Sequence, residues 1–230
     1  MKRKFTVIVL FLLAAVVCTG AAYLYFNSPT SSKRLPDRYL FPVPQLISDH
    51  DEDGDGIDDQ TDLLQGTLAY IETEPQYKSK YYEGGWPDDG YGVCTDVVAA
   101  AMKNAGYNLR ELVDADVRKR PEAYDIQKRD SNIDYRRVDN PKVYFEKYAL
   151  SLTIDPKQID QWQGGDIVVF AGHIGMVSDH RNIRGVPYVI HHNSPFQRRY
   201  EEDILEKRND IAGHYRITGF NNIENDTGGY

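Results

Sequence analysis

From Phe5 to Phe26 the chain runs 22 residues without a charge. As a helix that run is about 33 Å long, enough to cross a hydrocarbon core of about 30 Å. Lys2, Arg3 and Lys4 precede it, and residues 1–34 contain no acid. That asymmetry predicts a cytoplasmic N-terminus and a body outside the membrane. A competing reading is a cleaved signal peptide with Thr19-Gly20-Ala21 as the processing site, which would leave the body secreted. The apolar run continues past that site through Tyr23, Leu24, Tyr25 and Phe26, which favours a retained single-pass anchor. Cys18 follows Val17 where a lipoprotein signal wants a small residue, so it reads as an ordinary thiol in the anchor.

The expected organisation is an anchor over 1–26, a linker over 27–47 and one domain over 48–230. The linker is rich in Ser, Pro, Lys and Arg and reads as an extended tether. Residues 1–34 carry five basic residues, so the rest carries 22 basic against 35 acidic, or −13. An acidic body lacks the basic face that nucleic-acid binding requires. Beyond the anchor, the chain suffices for one domain with a buried core.

Along that domain the hydrophobic period changes. Leu63 to Ile71 suits a short amphipathic helix, with apolar residues at 64, 68 and 71 and at 63, 67 and 70. After a Gly/Pro/Asp loop at 83–92, the Ala-rich stretch Val93 to Ala105 predicts a helix with Gly106 just past its end. Residues 110–162 read as mixed helix and loop, with a helix near Pro141 to Tyr148. Then Gly164-Gly165-Asp166 predicts a turn, Ile167 to Phe170 a buried strand, and 173–178 with 186–191 a hairpin. A last strand is expected over 214–217. Helices first and strands later indicate an α+β fold with an antiparallel sheet.

Two clusters carry chemistry. Asp51 to Asp62 holds seven acids in twelve residues and fits a Ca²⁺ loop. Asp51, Asp53 and Asp55 fill the first ligand positions, Gly56 the sharp turn, and Ile57 offers its carbonyl. Asp59 and Asp62 fill positions nine and twelve. Asp at position twelve reaches less far than Glu. The site would be structural, tying tether to domain in a calcium-rich exterior; a solvated acidic linker is the alternative. No organic cofactor is expected.

The second cluster centres on Cys94. With only two cysteines, one of them in the anchor, the body can form no internal disulfide. Cys94 opens a predicted helix, where free N–H groups favour a thiolate and can bind an oxyanion. The hairpin midpoint near Asn182 puts His173 directly opposite His191, a base and its orienting partner. Alternation turns His192 to the other face.

The order Tyr81-Tyr82-Glu83-Gly84-Gly85, Val93-Cys94-Thr95-Asp96, Gly165-Asp166-Ile167, His173-Ile174-Gly175, Ile190-His191 resembles the bacterial NlpC-type cell-wall peptidases, which are papain-like cysteine hydrolases. Cys94-Thr95-Asp96, Asn132 to Val138 and Gly213-His214-Tyr215-Arg216 resemble more closely the bacterial family called domain of unknown function 1287, over about residues 50–218. The peptidase resemblance implies Cys94 as nucleophile, His173 as base, His191 as third member and Tyr81 beside the oxyanion site. Tyr82 is carried with Tyr81 in the oxyanion and substrate group. Asp96 stands where the peptidases have Gly, and its carboxylate would oppose thiolate formation. Arg136 and Arg137 could bind a substrate carboxylate or form salt bridges. The expectation is a membrane-anchored cysteine amidase or peptidase acting on peptidoglycan stem peptides in the cell wall, outside the cytoplasm. The same parts would serve an amide transferase. A non-catalytic wall-binding module on this fold is the other class, and a histidine metallohydrolase is poorly served because adjacent histidines on a strand point apart.

Overall fold

The computed structural model describes residues 10–20 and 29–219. Residues 10–20 form helix α1. The expected anchor at 1–26 extends beyond the described residues at both ends. Among the described residues no helix is long and apolar enough to cross a membrane.

Four further helices follow: α2 (Asp59–Glu72), α3 (Cys94–Asn104), α4 (Leu109–Lys119) and α5 (Asp139–Tyr148). Asp58 caps α2 by accepting from the Thr61 N–H, so the helix starts inside the acidic loop, four residues before its apolar pattern. Gly106, at φ +80°, ends α3 as expected of a left-handed residue after a helix. The charged α4, which the sequence reading leaves within a mixed region, still buries Leu109, Val113 and Val117.

Two short strands, β1 (Gln76–Tyr77) and β2 (Tyr91–Gly92), pair in parallel just before α3. The main sheet contains β3 (Leu150–Ser151), β4 (Ile167–Phe170), β5 (His173–Arg181), β6 (Pro187–Ile190), β7 (Glu201–Glu202) and β8 (Ile211–Arg216). Its order is β3-β8-β4-β5-β6-β7, and every neighbour pair is antiparallel. The expected α+β class with an antiparallel sheet is therefore the observed one.

The sheet is buried on both faces. Ile167, Val169, Ile174, Met176 and Ile190 join Val97, Val98 and Met102 of α3 in the larger core. Val168, Phe170, Val177 and Val189 form a second core with Trp162 and Leu205. Alternation along β4 and β5 divides these residues between the cores, as a period of two requires.

The tether is docked on the domain. The Ser31 N–H donates to the Arg198 carbonyl at 2.9 Å and the Arg38 N–H to the Arg181 carbonyl at 2.9 Å. Arg34 is paired with Asp179 and with Glu201 of β7. Composition predicts the extended tether, but its partners lie more than 140 residues away and are invisible to a local reading.

Candidate active site

Cys94 is the first residue of α3, a helix whose N-cap, Val93, has no side-chain oxygen. The cap comes from within instead: the Asp96 carboxylate accepts from the Val93 N–H at 2.8 Å. The sulfur is partly buried, and the backbone N–H of Ile174, the residue after His173 on β5, favours its charged form. So do the N–H groups of Thr95 and of Cys94 itself. Burial outweighs these donors and, with Asp96, raises the thiol above its ordinary pKa. At rest the group is a thiol.

The hairpin register differs from expectation. Met176 pairs with Ile190 and Val177 with Val189, and the register shifts between Val177 and Arg181. Continued by one residue, that register sets Gly175 opposite His191, two residues from the expected partner. A two-residue offset keeps the face, so His173 becomes the diagonal neighbour. Gly175 makes room: a Cβ there would lie 3.0 Å from the His191 Cβ and 2.9 Å from the Ile190 carbonyl oxygen. His173 Nε2 and His191 Nδ1 are 2.9 Å apart, both rings are buried, and they meet edge to face. Burial first, then His191, holds His173 neutral, with a pKa lowered to about 3.

His192 turns to the other face, as alternation predicts. Its ring lies against Tyr77 and Tyr200, and its Nδ1 is 3.4 Å from the Tyr70 hydroxyl. Burial, then His191, lowers its pKa to about 4. Its Nε2 is buried without a hydrogen-bond partner among the described residues. A thiolate at Cys94 would oppose ionisation of Tyr70 and Tyr77, whose pKa values burial already raises. Neither tyrosine carries a motif that sequence reading could find.

The four residues expected near an oxyanion or substrate are engaged elsewhere. Tyr81 is exposed, with its hydroxyl accepting from Asn132 Nδ2 at 3.0 Å. Tyr82 donates to Asp89 at 2.8 Å. Arg136 is bonded twice to Asp96, at 2.9 and 2.7 Å, and donates to the Lys80 carbonyl at 2.6 Å. Both charges of that pair are buried, so Arg136 is spent on Asp96 and unavailable to a substrate carboxylate. The pairing offsets part of the Asp96 charge, which still helps to raise the Cys94 thiol. Arg137 is half exposed and lies 3.4 Å from Asp134.

In the acidic loop, carboxylate oxygens of Asp51, Asp53 and Asp55 lie within 4.8 Å of one another. Gly54 and Gly56 take positive φ, and the Gly54, Gly56 and Ile57 N–H groups bond these carboxylates. Asp59 is a correction. It is buried at the start of α2, bound by the Tyr107 hydroxyl and 3.0 Å from His50 Nδ1, and is not gathered with the other three. Asp62 is buried too, and burial, then Asp55 and Asp53, raises its pKa to about 6.

Two residues that sequence reading did not single out complete the histidine pair. His191 Nε2 lies 3.1 Å from Glu202 Oε2 on β7. Gln197 Nε2 donates to the carbonyls of His191 at 3.0 Å and Arg199 at 2.7 Å.

Residues 64–217 match the family described as Domain of unknown function (DUF1287). The chain is similar to the Uncharacterized protein YijF of Escherichia coli (strain K12), with 35% identity over 162 residues, covering 66% of this chain and 76% of that protein. No solved structure matches. The matched family span begins within α2 and ends just past β8; it includes Cys94, His173, His191 and Glu202 and leaves out the three clustered aspartates of the acidic loop. The chain therefore belongs to the DUF1287 family.

Proposed function

We propose that this chain is an extracytoplasmic cysteine amidase or peptidase, papain-like in the NlpC manner, that acts on peptidoglycan stem peptides. The observation that carries the reading is the His173–His191 hydrogen bond at 2.9 Å, beside Ile174 of β5, whose backbone N–H favours the Cys94 thiolate. Neutral thiol and neutral imidazole form the resting pair. Cys94 Sγ attacks the amide carbonyl carbon while His173 takes the thiol proton. N–H groups at the start of α3 support the tetrahedral oxyanion. The C–N bond then breaks, His173 returns its proton to the leaving amine, and water hydrolyses the thioester. An acceptor amine in place of water would make the same site a transferase.

A second arrangement is favoured by one observation: His192 lies against Tyr70 and Tyr77, whose ionisation a Cys94 thiolate would oppose, so it is the rival base. The test incubates the full-length protein in detergent with peptidoglycan and reads new amino and carboxyl termini. Cys94→Ala and His173→Ala are expected to fall to background, a loss of at least about a hundredfold, and His192→Phe to retain activity. Loss confined to His192→Phe would move the base to that residue. No new termini on walls of several compositions, with binding retained, would leave a wall-binding module. Sensitivity to EDTA without sensitivity to iodoacetamide would favour a metal.

The acidic loop is proposed to bind Ca²⁺ through Asp51, Asp53 and Asp55, in a structural role. Calcium at about a hundred times its dissociation constant should raise the melting temperature by roughly 5 °C or more. A rise that survives Asp51→Asn with Asp53→Asn would remove the site. The uncharged run before the domain supports a membrane anchor, tested by protease accessibility of the body in intact cells.

A further inference from the structure

Resting on the cysteine chemistry above, we propose that Glu202 is a positioning residue that sets the tautomers of both histidines and leaves Nδ1 of His173 without a proton. Each link follows from who can donate. A carboxylate can only accept, so His191 Nε2, 3.1 Å from Glu202 Oε2, carries the hydrogen. Where the His191 ring carries that one N–H, its Nδ1 holds a lone pair. His173 Nε2, 2.9 Å from that lone pair, must be the donor. The remaining nitrogen of His173 is unprotonated, which is the state a base requires.

The competing tautomer needs a donor at His191 Nε2, and Gln197 is the candidate, with its Nε2 3.4 Å away. That amide has two hydrogens, and both are taken, by the His191 and Arg199 carbonyls at 3.0 and 2.7 Å. Glu202 is thus the partner that decides. Without it, Gln197 could turn one hydrogen to Nε2, which would move the His191 proton to Nδ1 and protonate His173 on the wrong nitrogen. Glu202 is held from behind: its strand neighbour Glu201 is buried and paired with Arg34, and β7 is only two residues long. The extended N-terminal segment therefore fastens the strand that carries the positioning group.

The charged and titratable groups around the pair are His192, Arg208, Asp210 and Glu202. The test uses full-length protein in detergent with Cys18→Ser, so that Cys94 is the one thiol. Long-range ¹⁵N–¹H spectra at pH 7 should show both His191 and His173 protonated at Nε2. His191 protonated at Nδ1 overturns the proposal whatever the protein's activity. Alkylation of Cys94 by iodoacetamide from pH 5 to 9 gives the second readout. Glu202→Gln, which can still accept, should stay near wild type. Glu202→Leu should react more slowly at pH 7 by about tenfold to a hundredfold, with its profile moving toward that of an isolated thiol. An unchanged Glu202→Leu profile, or equal losses in the Gln and Leu variants, overturns the proposal. If His173→Ala leaves the wild-type profile unaltered, the thiol–histidine reading fails instead, and the spectra still decide the tautomers.

Discussion

The sheet carries two histidine–carboxylate units of opposite character. At its β8–β4 side, His214 Nε2 lies 2.9 Å from Asp166 and Nδ1 lies 2.8 Å from the Thr153 carbonyl. The ring is stacked on Trp162 at 3.7 Å. Asp166, fully buried, also takes two bonds from Arg216 and one each from Gln60 and the Gln163 N–H. Both ring nitrogens and both carboxylate oxygens are occupied, so every polar atom of the unit is tied to a partner. At the β5–β7 side, the His173–His191–Glu202 chain has one open end. Its last carboxylate is about a third exposed, and Nδ1 of His173 has no hydrogen-bond partner among the described residues. The same residue types build a structural cross-link where every valence is filled, and a site where one is left over.

The sharpest way to break that comparison is to remove each carboxylate. Asp166→Ala would strand a partly buried Arg216 and a buried His214 and is expected to destabilise by about 3–5 kcal/mol, a large part of a domain's total. Urea unfolding measures it. A loss below about 1 kcal/mol would show that the β8–β4 unit is not the cross-link described.

How far both units were legible follows from separation in sequence. The strand Ile167–Phe170 coincides with its expected bounds because a β-branched run sits between a Gly-Gly-Asp turn and Ala171-Gly172. Cys94 at the head of a helix was legible for the same local reason. The histidine pair was legible as a face and not as a register, since the irregularity between Val177 and Arg181 shifts the pairing by two residues. Glu202 was not legible at all: its strand has two residues, its neighbours are charged, and its role exists only through β6. Arg136 offered a substrate contact by type, and only the fold reveals Asp96, 40 positions earlier, as its partner.

A finer test uses pH. His173 and His192 have pKa values lowered by burial to about 3 and about 4. In the unfolded chain both would titrate near 6.5, so below that pH the unfolded state binds more protons than the native state. Stability should therefore fall as pH drops from about 6.5, by up to about 1.4 kcal/mol per pH unit for each histidine. Urea midpoints at pH 7, 6 and 5 check this, and His192→Phe should make the acid limb shallower by one histidine's share. An identical slope in that variant would mean His192 is not held neutral.

The smallest expected effect is the most informative. Glu202 is partly exposed and its bond to His191 is single, so Glu202→Leu should change stability by no more than about 1 kcal/mol. A positioning group must be nearly dispensable for folding, because the energy it controls is the difference between two tautomers of an already buried pair. Measured beside Asp166→Ala under the same urea conditions, it separates the two units directly. A Glu202 variant that unfolds as readily as the Asp166 variant would make β7 a structural clamp. The contrast between a closed and an open histidine chain would then fail at its open end.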